Sequence, residues 1–193
     1  MNNKFTPSVA EIERCKKAWE KDDYFLAEKV LRLTFQGDGK HLRLTDADLL
    51  AQTALLNALY RVNIFDIYSV YEHYKAVAKN GGMEKRLKEG DLSVVEDLST
   101  VTTRNGKVRH CYSFATKFCS FHNPEKFPIY DSVVSDMLYN LNKKDGFSKF
   151  SKTDLKDYSK YVGVIRDFQK KYNLTEASFW EIDKMLWING KKK

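Results

Sequence analysis

The chain has 193 residues, enough for one domain with a real core or two small ones, and nothing in it resembles a long flexible linker. Its formal charge of +7, from 33 Lys and Arg against 26 Asp and Glu, suits a polyanionic partner such as nucleic acid. No apolar run reaches transmembrane length, and the amino terminus MNNKFTPSVAEIERC lacks the charged-then-apolar pattern of a secretory leader, so a membrane or secreted protein is set aside.

The three cysteines, Cys15, Cys111 and Cys119, form no C-x-x-C pair, and His41, His73, His110 and His122 have no ligand spacing. A disulfide framework, a metal knuckle and a cofactor are therefore not expected. The expected compartment is intracellular and cytoplasmic, nucleoid-associated in a bacterium. Few glycines and prolines, with Leu, Lys, Glu and aromatics dominating, predict an all-α bundle, either one compact domain over 1–193 or two lobes with the active site between them.

In chain order, Ser8-Val9-Ala10-Glu11 is a capping-box pattern and opens a helix carrying Ile12, Cys15 and Trp19. A second helix over 23–36 is expected to turn Phe25 or Leu26, Val30 and Leu33 inward and to stop at Gly37-Asp38-Gly39. Thr45, with Asp48 three residues on, caps a third helix, expected to be central to the core and bearing Leu49, Leu50, Leu55, Leu56 and Leu59. A fourth, over 63–79, shows Phe65 or Ile67, Val70, Tyr71, Tyr74 and Val77 and ends at Asn80-Gly81-Gly82. A short charged helix or turn over 83–90 follows, and then a helix capped by Asp91 with Leu92, Val95 and Leu98 inward.

The helical rhythm breaks at 101–109, where β-branched residues flank Asn105-Gly106, a hairpin signal. Arg104, Lys107 and Arg109 make this hairpin basic, so it reads equally as a DNA-backbone contact or as an exposed tip with incidental charge. Beyond residue 143, Gly146 closes one helix, Thr153 is expected to cap another over 154–172, and Thr175 to open the last. Trp180 and Trp187 share a face of that last helix, which is either core or one wall of a pocket for a flipped base.

Between these lies YSFATKFCSFHNPEKFPIYDSVVSDM, residues 112–137. A helix from 113 to 122 places Phe114, Phe118 and Phe121 on one stripe with Lys117 at its edge, where a lysine is partly desolvated. Asn123-Pro124 ends the helix, Phe127-Pro128 keeps the chain extended, and Asp131 falls at the N-cap of the next helix. An aspartate 14 residues after the lysine can return beside it. The plainer reading is a solvated helix lysine and an ordinary cap.

The segment SFATKFCSFHNPEKFPIYDS resembles the active-site region of the helix-hairpin-helix DNA glycosylases, most closely their 8-oxoguanine glycosylase-like branch. About 25 residues carry the likeness. The glycine-rich hairpin that usually precedes the lysine in that family is replaced by the Asn105-Gly106 hairpin, and no iron–sulfur cysteine cluster is present. The resemblance implies a helix-hairpin-helix glycosylase-type bundle and a monomeric base-excision-repair enzyme. Its substrate would be double-stranded DNA with a damaged base such as 8-oxoguanine, or an abasic site, and its roles would be both glycosylase and AP lyase. Lys117 would be the Schiff-base nucleophile, Asp131 the carboxylate that stabilises positive charge on the sugar, and Phe114, Phe121, Trp180 and Trp187 candidate walls of the base pocket. Only a neutral amine attacks, and a free lysine with a pKa of ~10.4 is neutral in less than about one part in a thousand at pH 7, so such chemistry requires a desolvated setting. A catalytically silent nucleic-acid-binding module of the same fold and a helical protein-interaction domain are the competing readings.

Overall fold

The computed structural model describes residues 5–36, 42–60, 62, 64–80 and 82–191. The Gly37-Asp38-Gly39 stop, Lys40 and His41, the helix start at Asn63, Gly81 and the tail lysines Lys192 and Lys193 lie outside these. In chain order the helices are α1 (Val9–Trp19), α2 (Tyr24–Gln36), α3 (Asp46–Leu59), α4 (Ile67–Asn80), α5 (Met83–Glu89) and α6 (Ser93–Ser99). Strands β1 (Thr100–Thr102) and β2 (Val108–His110) follow, then α7 (Tyr112–His122), α8 (Ser132–Asp145), a 3-10 turn (Lys152–Lys156), α9 (Tyr158–Lys171) and α10 (Phe179–Gly190). The fold is all-α with one small antiparallel hairpin.

The chain divides into two compact units, one formed by the residues up to Asp22 with those from Pro128 onward, the other by Asp23–Phe127. In the first, α10 packs on both α1 and α8. Gly190 sits where a Cβ would come within 2.6 Å of Met137 Cγ and Val133 Cγ1, so this glycine serves close helix approach rather than only a helix stop. Across α1 and α10, Trp19 meets Trp187 edge-on at 5.6 Å and Asn189 Nδ2 donates to Glu11 Oε1 at 2.9 Å. In the second unit, α7 is the central element, packed by α2, α3 and α6.

Capping explains most boundaries. Ser8 Oγ accepts from the Glu11 N–H, Thr45 and Asp48 form a full capping box, and Gly146 closes α8 in the left-handed region at φ 58°. Two expected caps move. Ser151 and Asp154 satisfy each other reciprocally and start the 3-10 turn, so α9 begins only after Asp157, whose carboxylate takes the Lys160 N–H. Ser178 with Glu181 makes the same box and starts α10, leaving Thr175 in the preceding turn. At α6 the Asp91 carboxylate accepts from the Ser93 N–H, and Val94, Val95, Leu98 and Ser99 are buried while Leu92 is half-buried.

The largest correction concerns α2. Of the expected inward set, Phe25 or Leu26 with Val30 and Leu33, Phe25 is half-buried while Leu26, Val30 and Leu33 are exposed at 69%, 38% and 72%, and the buried side is Glu28, Leu31 and Phe35. Both sets recur at helical spacing, so periodicity alone cannot choose between them. Aromatic packing decides: Phe35 fills the gap between Phe118, 5.4 Å away, and Phe121, 5.3 Å away. Glu28 follows it inward and is held by Arg32, Nη2 to Oε1 2.7 Å. On α3, Leu49 and Leu56 are buried with Gln52 and Thr53, while Leu50 faces out and Leu55 and Leu59 are half-buried. Phe65 precedes α4 and is fully exposed.

Candidate functional site

Helix α7 carries Phe114, Phe118 and Phe121 into the interior, as the stripe requires. Phe118 meets Tyr74 edge-on at 4.7 Å, and Phe121 meets Tyr60 at 5.7 Å. The helix start is tied down by the Cys111 N–H, which donates to Ser99 O at 2.6 Å. Its end is tied down by Asn123, whose Nδ2 donates to Leu87 O at 2.9 Å.

On that anchored helix Lys117 is only 5% exposed. Its Nζ donates to Ser113 Oγ, one turn earlier, at 2.6 Å, and stands 5.8 Å from the centroid of the Tyr60 ring. Lysine is seldom buried to this degree, because its charge loses solvation that only partners and ring faces partly replace. The expected neighbour, Phe121, is part of the cluster through Tyr60. Ser113 and Tyr60 were not singled out from sequence. The i, i+4 spacing of Ser113 to Lys117 could have revealed the first, whereas Tyr60 comes from a distant helix end and leaves no local signal.

Asp131 belongs to the other unit, where it caps α8: its Oδ1 accepts from the Val133 N–H at 2.8 Å. The extended residues before it are pinned by two tyrosines of α9. Tyr158 Oη donates to Pro128 O at 2.8 Å and Tyr161 Oη to Ile129 O at 2.6 Å, both buried. The stretch from Pro128 to Asp131 thus has a rigid backing within its own unit, and the carboxylate position is set by both the cap and these bonds.

The basic hairpin forms with Val101 opposite Arg109, and Gly106 at φ 76° makes the turn. Arg104, Lys107 and Arg109 are all exposed. Arg104 is fixed at both ends, its N–H donating to Ser69 Oγ at 3.1 Å and its guanidinium lying 4.3 Å over the Tyr68 ring. Asp66 is close: hydrogen bonds from Ser69, then Arg104, hold its carboxyl below the usual range, so the tip is not purely cationic.

The remaining pocket candidates have intramolecular partners. Phe114 is fully buried beside Tyr74, and Trp187 packs on Trp19 and under Lys191 Nζ at 4.4 Å. Trp180 lies 5.8 Å from Lys184 Nζ, which is itself buried 4.0 Å over Trp19 and bonded to Asp183 Oδ2 at 3.1 Å. An open cleft of about 620 Å³, lined by Asp46, Lys75, Lys79, Glu84, Lys85 and Lys88 among others, does not include Lys117. Its charges are largely matched, Lys75 to Asp46 at 2.6 Å and Lys88 to Glu84 at 2.7 Å. Among the described residues no group of three or more His, Cys, Asp or Glu could hold a metal ion. No described helix is long and apolar enough to cross a membrane.

At the end of α7, His122 is buried between Phe35 and Phe118 with both ring nitrogens unpartnered, and burial pushes its pKa down to about 3. Burial pushes the Cys119 thiol up and that of Cys15 up to about 11, so neither is a thiolate nucleophile near neutral pH.

Comparison with known proteins gives a family match over residues 11–126, to HI_0787_N, described as an N-terminal domain. A Haemophilus influenzae (strain ATCC 51907 / DSM 11121 / KW20 / Rd) protein, named as an uncharacterized protein, is 46% identical over 136 residues, which make up 70% of this chain. The match spans 63% of the length of that relative. No solved structure matches.

Proposed function

We propose, for a chain that belongs to the HI_0787_N family, that it is a base-excision-repair enzyme, a DNA glycosylase/AP lyase acting through Lys117 on double-stranded DNA carrying an oxidised purine such as 8-oxoguanine. The observation that supports this best is the setting of Lys117, an amine 5% exposed and held between Ser113 and the Tyr60 ring, which itself packs on Phe121, on a helix anchored at both ends. A solvated helix lysine, the plainer alternative, does not have this burial. The part of Asp131 rests on its match to the glycosylase-like motif.

The chemistry balances without a cofactor. The Nζ lone pair of the neutral amine attacks C1′ of the damaged nucleotide, and the C1′–N glycosidic bond breaks with its electron pair leaving on the base, which takes up a proton. A carboxylate such as Asp131 favours this step by stabilising positive charge on the sugar. The attached amine loses a proton and the sugar ring opens to a protonated imine. Loss of a C2′ proton then expels the 3′ oxygen, cleaving the strand, and water releases the lysine. The target base leaves the stack first, at a cost of about a few kcal/mol. The exposed Arg104, Lys107 and Arg109 supply phosphate contacts to offset it.

Borohydride trapping on duplexes bearing 8-oxoguanine, an abasic site or no lesion, comparing the parent with Lys117→Gln, tests the reading. A lesion-dependent covalent adduct that disappears in the variant, with the thermal melt of the variant intact, is the expected result. Trapping of the abasic duplex alone reduces the activity to a lyase. Undiminished trapping in Lys117→Gln removes Lys117 as nucleophile, and salt-dependent DNA binding without any adduct favours the silent binding module of the same fold.

A further inference from the structure

Phe65 is the most exposed large apolar side chain among the described residues, at 101%. This is not slack in the chain, because the backbone is pinned on both sides of it. Before it, the Asn57 side chain brackets Ile64, Oδ1 accepting from the Ile64 N–H at 2.9 Å and Nδ2 donating to the Ile64 carbonyl at 2.9 Å. After it, the Asp66 carboxylate accepts from the Ser69 N–H at 3.2 Å and from Ser69 Oγ at 2.5 Å, capping the start of α4. The fold thus holds a large ring in water, where it gains nothing from burial. The same cap fastens the basic hairpin beside it. Ser69 Oγ accepts from the Arg104 N–H at 3.1 Å, which ties the hairpin tip, through Ser69, to the residue next to Phe65. The Arg104 guanidinium lies 4.3 Å over the exposed Tyr68 ring, and Tyr68 meets Tyr71 edge-on at 5.2 Å. Lys107 and Arg109 are exposed on the same hairpin, and none of these three cations is within ion-pairing distance of a described carboxylate. Exposed rings interleaved with cations that have no intramolecular counterion are the chemistry of a surface that takes bases on ring faces and phosphates on the cations.

We infer that Phe65, with Tyr68 and the hairpin cations, is a platform for an unpaired base of a nucleic-acid strand. The base stacks on the Phe65 ring, and the flanking phosphates meet Arg104, Lys107 and Arg109. The inference rests on the reading of the hairpin as a phosphate contact, and it narrows the partner. Within an intact duplex each base face is already stacked on its neighbours, so a protein ring finds a face only where a base is unpaired. The occupant follows from charge. An apolar pocket on a partner protein would have to desolvate the adjoining cations to enclose the ring, whereas a polynucleotide neutralises them as its base stacks. The chemistry proposed for Lys117 plays no part in this platform.

Fluorescence anisotropy on the 193-residue protein tests this, with a labelled oligothymidylate, which has no secondary structure of its own, beside a fully paired undamaged duplex. Phe65→Ala is expected to weaken oligothymidylate binding roughly ten- to a hundredfold, the loss of one stacked base, and to leave duplex binding within about twofold. Phe65→Leu, still apolar but without a π-face, is expected to lose as much. Phe65→Trp is expected to keep the parent affinity, with its added indole fluorescence quenched on binding. All three variants should melt as the parent does, since the ring takes no part in the core. Parent affinity in Phe65→Ala or Phe65→Leu, an equal loss on the duplex, or a parent that does not bind oligothymidylate overturns the inference, and each of these leaves the Lys117 adduct on a lesion-bearing duplex as a separate result. Phe65-dependent binding of oligothymidylate with no borohydride adduct on any duplex would uphold the platform while ending the repair reading.

Discussion

Lys117 Nζ donates to Ser113 Oγ at 2.6 Å, one helical turn back along α7. The hydroxyl fixes the rotamer of a nearly buried amine, which otherwise has four rotatable bonds to search. Ser113 is therefore a positioning residue for the proposed nucleophile. Ser113→Ala is expected to slow single-turnover adduct formation about 10-fold, the equivalent of the ~1.5 kcal/mol of a hydrogen bond to a charged group, while Ser113→Thr retains most of the rate. Equal rates in parent and Ser113→Ala would show that the lysine needs no such hold.

His122 gives the protein an acid-sensitive core. Burial lowers its folded-state pKa to about 3, whereas the unfolded imidazole titrates near ~6.5, so the unfolded chain binds the extra proton between these values. Its contribution to stability is complete above pH ~6.5 and is lost as pH falls toward 3, at up to ~1.4 kcal/mol per pH unit. Replacing it with an apolar residue also removes two unpartnered ring nitrogens from between Phe35 and Phe118. Melting temperatures from pH 7 to pH 4 should therefore fall less steeply for His122→Leu than for the parent; parallel curves would place the acid sensitivity elsewhere.

Gly190 admits no side chain without displacing the Met137 and Val133 side chains of α8. A Cβ would stand 2.6 Å from both Met137 Cγ and Val133 Cγ1, so Gly190→Ala is expected to cost about 1–3 kcal/mol of stability despite alanine's better helix propensity. Urea denaturation distinguishes this from the gain of about 0.5–1 kcal/mol expected of an unconstrained helical glycine. A companion Met137→Ala substitution, which opens space, should recover part of the loss in the double variant.

The hairpin cations make a separate prediction. Replacing Arg104, Lys107 and Arg109 together by alanine should weaken binding to undamaged and damaged duplex alike and flatten the dependence of log K on log salt by up to ~3. Arg104→Lys alone should weaken binding more than Lys107→Arg, because the planar guanidinium stacks on Tyr68 at 4.3 Å and an ammonium cannot reproduce that geometry. A salt slope unchanged in the triple variant would remove the hairpin from the DNA interface.

Lys184 and Asp183 test whether a buried ion pair is structural. Both are buried, and Lys184 Nζ lies 4.0 Å over Trp19. Asp183→Asn leaves the cation with less compensation and is expected to cost roughly 3 kcal/mol, whereas Lys184→Met with Asp183→Asn should recover much of it. A double variant no more stable than Asp183→Asn would show that the pair acts beyond charge compensation.

Local chemistry in the sequence determined much of this protein. The all-α class, the hairpin at Asn105-Gly106, the Thr45–Asp48 capping box, the Asp131 cap and the aromatic stripe of α7 all depend on residues within a few positions of one another, whose steric and hydrogen-bonding preferences act before any tertiary contact. Tertiary structure decided what had more than one local solution. On α2, two apolar sets compete at the same period, and only the fit of Phe35 between Phe118 and Phe121 selects the buried one and turns Leu26 and Leu33 outward. Ser151 and Ser178 prevailed over Thr153 and Thr175 because each has an acidic residue three positions on to complete the reciprocal box. The Lys117 setting combines both levels. Its place beside Phe121 and its bond to Ser113 follow from helical spacing, but the Tyr60 ring comes from a distant helix end, and such long-range packing has no signature in the residues next to the lysine.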